Sequence, residues 1–177
     1  MPHFLTATAD AIDRVIAAIG HAVIWLTLAV VLVQFAVVVL RYAFGIGSIW
    51  LSESVIYAHA AMFMLVGAWT LQQNGHVRVD VFYADAAPRT KALIDLLGTL
   101  LLLLPFMAVI AWFALPYVMR SWAILERSRE VSGLPFVYLL KTLIPLFALL
   151  MALQGIAQAI RAALVLMTPR TATAETR

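Results

Sequence analysis

The sequence predicts an all-α integral membrane protein with four transmembrane helices, and three observations support this fold class. The 177 residues are 64% hydrophobic and only 12% charged, whereas soluble domains are about half apolar. The hydrophobic residues gather in four windows, each near the ~20 apolar residues that cross a bilayer as a helix. Within these windows apolar and polar residues do not alternate, which argues against transmembrane strands.

Charged residues bound the four windows, so the windows define the predicted spans. They cover residues 15–40, 54–71, 96–119 and 142–160. The first window is longer than the about 7–15 apolar residues of a signal peptide, which predicts a retained helix. The spans form one predicted membrane domain over residues 15–165, followed by a flexible tail over residues 166–177.

Residues 1–14 are predicted to form a short interfacial helix that leads into the first span. Apolar residues recur there at helical spacing, and Asp10 and Arg14 are placed as an i,i+4 ion pair. An amphipathic segment is expected before the last helix. Both features complete the predicted four-helix fold.

Basic residues predict the orientation in the membrane. Seven of them lie in the two tails and in residues 72–95, and five lie in residues 41–53 and 120–141. Because cytoplasmic segments carry the excess of Lys and Arg, we expect both termini in the cytoplasm.

The distribution of charge limits the function. No Asp, Glu, Lys or Arg lies inside the four windows, although ion-coupled transporters place such groups there. The chain has no cysteine, and it shows no motif for a nucleophile, a bound phosphate or a metal. We therefore expect no enzymatic activity, no catalytic residue, no cofactor and no metal. A surplus of three basic residues also gives no nucleic-acid surface.

Because histidine can ligate haem iron, two histidines in the spans raise an alternative function: a haem-binding membrane anchor of a respiratory enzyme. His21 and His59 lie inside the first two spans, which run in opposite directions, so their rings are expected about 13 Å apart along the membrane normal. One haem iron would need both nitrogens within about 2 Å. His21 with His76 is the remaining pair, and hydrogen bonding between helices is the simpler role. A small stand-alone efflux protein is a third possibility.

The fourth span carries a helix-packing stripe of small residues at steps of four, three and four. Its members are Ala148, Ala152, Gly155 and Ala159. Such a stripe lets another helix backbone approach closely. That helix could belong to the same chain or to another subunit.

Glu53 is the one ionisable residue at the edge of a span that is a candidate for function. The structural alternative is an ion pair with Arg41 or an anchor at the membrane interface.

A pattern of residues runs from the end of the first span to beyond the second. An Arg ends the first span, a Trp and a Glu open the second, a Tyr follows, and a Gly-His-Val-x-Val-Asp element comes after it. These residues are Arg41, Trp50, Glu53, Tyr57, Gly75, His76 and Asp80. The pattern, with a similar stretch over residues 133–155, resembles the DctQ-like small membrane subunit of tripartite ATP-independent periplasmic (TRAP) transporters.

The resemblance implies an accessory subunit of a sodium-coupled TRAP transporter in the bacterial inner membrane. Its partners would be a large, elevator-type membrane subunit and a periplasmic solute-binding protein that delivers an organic acid. The small subunit would scaffold the large one and help to dock the binding protein, with no substrate or ion site of its own. The motif residues would then be candidates for the subunit interface.

Overall fold

The structure, a computed structural model, describes residues 2–77 and 83–168 and confirms the predicted fold class. Within these ranges every regular element is a helix, and four helices are long and apolar enough to cross a membrane. The elements are α1 (Pro2–Phe44), α2 (Ile49–Gln72), α3 (Pro88–Gly98), a π-helical turn (Thr99–Leu103), α4 (Leu104–Ala123) and α5 (Val137–Met167). The third span is one continuous helix made of α3, the π turn and α4.

Local sequence explains where the helices begin and end. Gly45, with φ +68°, follows the end of α1 in a conformation that glycine adopts without strain. The Ser48 hydroxyl then accepts a hydrogen bond from the backbone N–H of Leu51 and caps α2. Pro88 starts α3 at a position where its missing N–H costs nothing. Pro105, which has no N–H for the preceding turn, is the second residue of α4, the helix that follows the π turn.

The N-terminal stretch is helical and continuous with the first span. α1 continues without a break across residue 14, because Gly20 is its sole glycine and no proline follows Pro2 within it. Ala9 and Ile16 are buried on the same side of α1. This stretch therefore packs against the rest of the chain as an extension of the first span.

The segment before the last helix, for which an amphipathic character is predicted, is a loop. Residues 124–136 form turns and bends. Gly133 and Pro135 fall within it, and both residue types disfavour a continuous helix.

α5 is the central helix of the molecule. It contacts α1, α2, α3 and α4, whereas α4 contacts neither α1 nor α2 in the part of the chain that is described. The core cluster joins α5 to its neighbours through Ile16, Ala68, Met107, Ala148, Leu150 and Met151. The small side chains of α5 explain how one helix accommodates so many neighbours.

The stripe of small residues lies inside this four-helix unit. Ala148, Gly155 and Ala159 are buried and Ala152 is half-buried. A Cβ atom on Gly155 would lie 2.7 Å from Leu103 Cδ2 and 3.3 Å from Thr99 Cγ2, both in the π turn. The sequence left open which helix approaches this stripe. At Gly155 that helix is the third span of the same chain.

Candidate functional site

Polar and charged side chains form two clusters at opposite ends of the helices. The loop cluster lies where α4 ends and α2 and α5 begin, and consists of Glu53, Ser121, Glu126, Ser128 and Lys141. The terminal cluster lies where α1 begins and α2 and α5 end, and consists of Asp10, Asp13, Gln72, Gln154 and Arg161. Each cluster joins three elements that are distant in sequence.

Glu53 holds the loop of residues 124–136 onto the start of α2. Its carboxylate accepts hydrogen bonds from the Ser128 hydroxyl and, at 2.5 Å, from the backbone N–H of Leu134. A Cβ atom on Gly133 would lie 2.5 Å from Ser128 Cβ and 2.8 Å from Glu53 Oε1, so the tight fold of the loop favours glycine here. Within the described residues the carboxylate thus bonds the loop and not Arg41, which is exposed at the end of α1.

Glu126 forms the second attachment of the loop. Its Oε2 atom lies 2.5 Å from Lys141 Nζ and accepts a hydrogen bond of 2.7 Å from the Ser121 hydroxyl. The hydrogen bond from Lys141, supported by that from Ser121, lowers the pKa of Glu126 below its ordinary value. The same ammonium group lies 4.1 Å from the centroid of the Tyr117 ring, a cation–π contact. Glu126 is therefore charged at neutral pH and joins the loop to α4 and α5.

The terminal cluster is centred on Asp13. Its carboxylate lies 2.5 Å from Arg161 Nη1 and accepts a hydrogen bond of 3.0 Å from Gln154 Nε2. Its backbone carbonyl accepts a hydrogen bond of 2.9 Å from Gln72 Nε2. Asp13 on α1 is thus joined to α2 and to two turns of α5.

Asp10 has a different partner from the one that the helical spacing predicts. Its carboxylate lies 2.9 Å from Arg161 Nη2, while Arg14 donates a hydrogen bond to the backbone carbonyl of Asp10. The predicted i,i+4 ion pair is therefore wrong. Asp10 instead adds a second contact between α1 and α5.

The remaining motif residues are divided between the two ends of α2. Trp50 is exposed in its first turn, and the hydroxyl of Tyr57, one turn after Glu53, is buried without a hydrogen-bond partner among the described residues. Gly75 and His76 follow the other end of α2, where the N–H of Gly75 donates to the carbonyl of Thr70. Asp80 lies outside the described residues. The structure therefore brings Glu53 and Tyr57 together and separates them from the Gly-His element by the length of α2.

The intramembrane histidine of α1 packs against an aromatic residue. The ring centroids of His21 and Trp69 are 5.5 Å apart, and His59 is exposed on α2. No group of three or more potential metal ligands comes together in residues 2–77 and 83–168.

Sequence reasoning missed the terminal cluster and the partners of Glu53. No motif in the sequence marks Asp13, Gln154 or Arg161. One signal was available, because four antiparallel spans place the start of the first and the end of the fourth on the same side. Opposite charges at these two positions predict an ion pair.

Comparison with known families decides where the chain belongs. Residues 30–165, more than half of the chain, match the DctQ component of tripartite ATP-independent periplasmic transporters. The chain belongs to this family. No curated protein and no solved structure matches it. As a DctQ-family protein it is the small membrane subunit of a TRAP transporter, and the residues matched include Glu53, Lys141 and Arg161 but not Asp10 or Asp13.

Proposed function

We propose that this DctQ-family chain scaffolds the large, elevator-type subunit of a sodium-coupled TRAP transporter in the bacterial inner membrane. The transporter would import an organic acid delivered by a periplasmic solute-binding protein. The single observation that carries the proposal is the family match over residues 30–165. The four helices suited to span a membrane support it.

The use of charged residues at the two helix ends supports an accessory rather than an ion-coupling role. Glu53 bonds the loop, Glu126 pairs with Lys141, and Asp13 pairs with Arg161. Each of these groups holds helices or a loop of the same chain together. In ion-coupled transporters such groups instead face a substrate or ion pathway.

Co-purification tests the proposed partnership. We expect the affinity-tagged chain, expressed with its cognate subunits and extracted in a mild detergent, to retain the large membrane subunit in stoichiometric amount. Proteoliposomes with both subunits should take up the organic acid when the binding protein and an inward sodium gradient are present, and the small subunit alone should move none. Loss of the large subunit during purification, uptake by this chain alone, or a haem Soret band in the purified protein would each argue against the proposal.

We also propose that both termini lie in the cytoplasm and that residues 124–136 face the periplasm, as the basic residues indicate. Because the chain has no cysteine, Val131→Cys and Val77→Cys each introduce a single thiol. The two valines are 104% and 103% exposed and lie at opposite ends of the helices. In spheroplasts a membrane-impermeant maleimide should label Val131→Cys at once and Val77→Cys only after lysis. The reverse pattern would place the termini outside.

A further inference from the structure

Three buried polar atoms in and beside the terminal cluster have no hydrogen-bond partner among the described residues. They are the indole nitrogen Nε1 of Trp69 and the amide oxygens Oε1 of Gln72 and Gln154. A polar group that leaves water without gaining a partner destabilises a fold, so nearly all buried polar groups bond to protein or to bound water. The three atoms therefore require a partner that the described residues do not supply.

The two glutamine amides are held in one orientation by Asp13. Gln72 donates from Nε2 to its backbone carbonyl at 2.9 Å, and Gln154 donates from Nε2 to its carboxylate at 3.0 Å. An amide turned the other way would place its own oxygen against these acceptors, which would repel it. Exchanging the oxygen and nitrogen of either amide thus satisfies neither side chain, and both Oε1 atoms remain acceptors that need a donor.

Trp69 supplies the third unpartnered atom, a donor, close to both amides. It lies three residues before Gln72, so the two side chains share a face of α2. Its ring packs against the core cluster that contains Met151, and Met151 lies one turn before Gln154 on α5. The indole N–H and the two amide oxygens therefore belong to the same region between α2 and α5.

We propose that one water molecule is bound in this region, at a site that we call the amide site (Trp69, Gln72 and Gln154). Water has two hydrogens to donate and lone pairs with which to accept. It donates one hydrogen to each Oε1 atom and accepts a hydrogen bond from the indole N–H. About three such bonds are typical of a buried water molecule. The bound water is enclosed between α2 and α5, apart from the bulk solvent, and bridges the two helices.

The charges around the amide site favour water over a cation. The two amide oxygens and the Asp13 carboxylate are ligands of the kind that hard cations prefer. That carboxylate is already paired with Arg161, whose Nη1 atom lies 2.5 Å from it. The guanidinium and the indole N–H would both direct positive charge at a bound cation and repel it. A neutral ligand that donates twice and accepts once matches the three atoms.

Water-edited solid-state NMR tests the amide site in the full chain. The protein is placed in phosphatidylcholine bilayers with its five tryptophans labelled with ¹⁵N, and Trp69→Phe identifies the Trp69 signal. The indole N–H of Trp69 should receive magnetisation from water several-fold faster than that of Trp112, which is exposed on α4 inside the third span. Transfer to Trp69 that is no faster than transfer to Trp112 would overturn the inference.

Matched variants on α5 test the ligands of the water. Gln154→Met removes one acceptor but keeps an unbranched side chain, and should reduce the transfer to Trp69 by about half or more. Gln158→Met makes the same change one turn further along α5, at a half-buried position, and should leave the transfer unchanged. The signals of the other four tryptophans report whether each variant is folded.

Two further outcomes would also contradict the bound water. Equal transfer to Trp69 in the wild-type protein and in folded Gln154→Met would show that Gln154 does not hold it. A Trp69 signal that shifts when sodium in the buffer is replaced by choline would instead indicate a cation at the amide site.

Discussion

Gly20→Ala is expected to destabilise the packing of α1 on α2 by about 1–3 kcal/mol, the usual cost of one extra methyl group in a filled interface. A Cβ atom at this position would lie 2.6 Å from Trp69 Cδ2 and 2.9 Å from Trp69 Cβ. The Cβ atom of Trp69 is fixed to the backbone of α2, so a change of rotamer cannot relieve the overlap. The two helices would have to move apart, although alanine is by itself the better helix former by about 1 kcal/mol.

Thermal unfolding in detergent measures this cost, with Gly98→Ala as the matched control. Gly98 is also a helical glycine, and a Cβ atom there meets nothing within 4 Å. The control should unfold at or above the wild-type temperature and Gly20→Ala well below it. Combining Gly20→Ala with Trp69→Ala should remove the part of the extra cost that comes from the overlapping ring, while the overlap with the retained Cβ atom of residue 69 remains. Equal unfolding temperatures for the two glycine variants would contradict a tight helix contact.

The spans could be predicted from the sequence because each depends only on its own residues. A charge-free apolar window of about 20 residues indicates a membrane helix wherever it occurs. The N-terminal stretch continues into the first span as part of α1, and two of the three charged residues Asp10, Asp13 and Arg14 find a partner in Arg161. Local composition cannot show that a charge is neutralised by a distant one.

The polar clusters could not be predicted because their members are far apart in the chain. Glu53 and Leu134 are separated by 81 positions, and Asp13 and Gln154 by 141. Motif resemblance singled out Glu53 without its partners. Small residues similarly showed that α5 is approached closely, and only the packing of Thr99 and Leu103 against Gly155 shows by which helix. The pattern of residues within a helix thus predicts which of its faces is packed, and only the tertiary structure shows which helix packs against that face.

Asp13→Ala is expected to cost about 2–3 kcal/mol of stability. This lies below the 3–5 kcal/mol for breaking a fully buried ion pair, because the Arg161 side chain is 44% exposed. The Asp13 side chain is only 19% exposed, and its loss removes one of the two carboxylates of Arg161 and the acceptor of Gln154 Nε2. Gln154 is 2% exposed, so water cannot readily replace that acceptor.

Asp10→Ala is the matched control, because Asp10 binds the same arginine from a side chain that is 64% exposed. It should cost less than about 1 kcal/mol, as exposed ion pairs do. Asp13→Asn keeps an acceptor for Gln154 while losing the charge, and should fall between the two alanine variants. The order can be read from unfolding temperatures in one detergent, and equal losses for the two alanine variants would show that the cluster acts only as a surface ion pair. The predicted order instead means that Asp13 attaches the N-terminal part of α1 to α2 and α5. Asp13 lies outside the residues that match the family, whereas its partners on α2 and α5 lie within them.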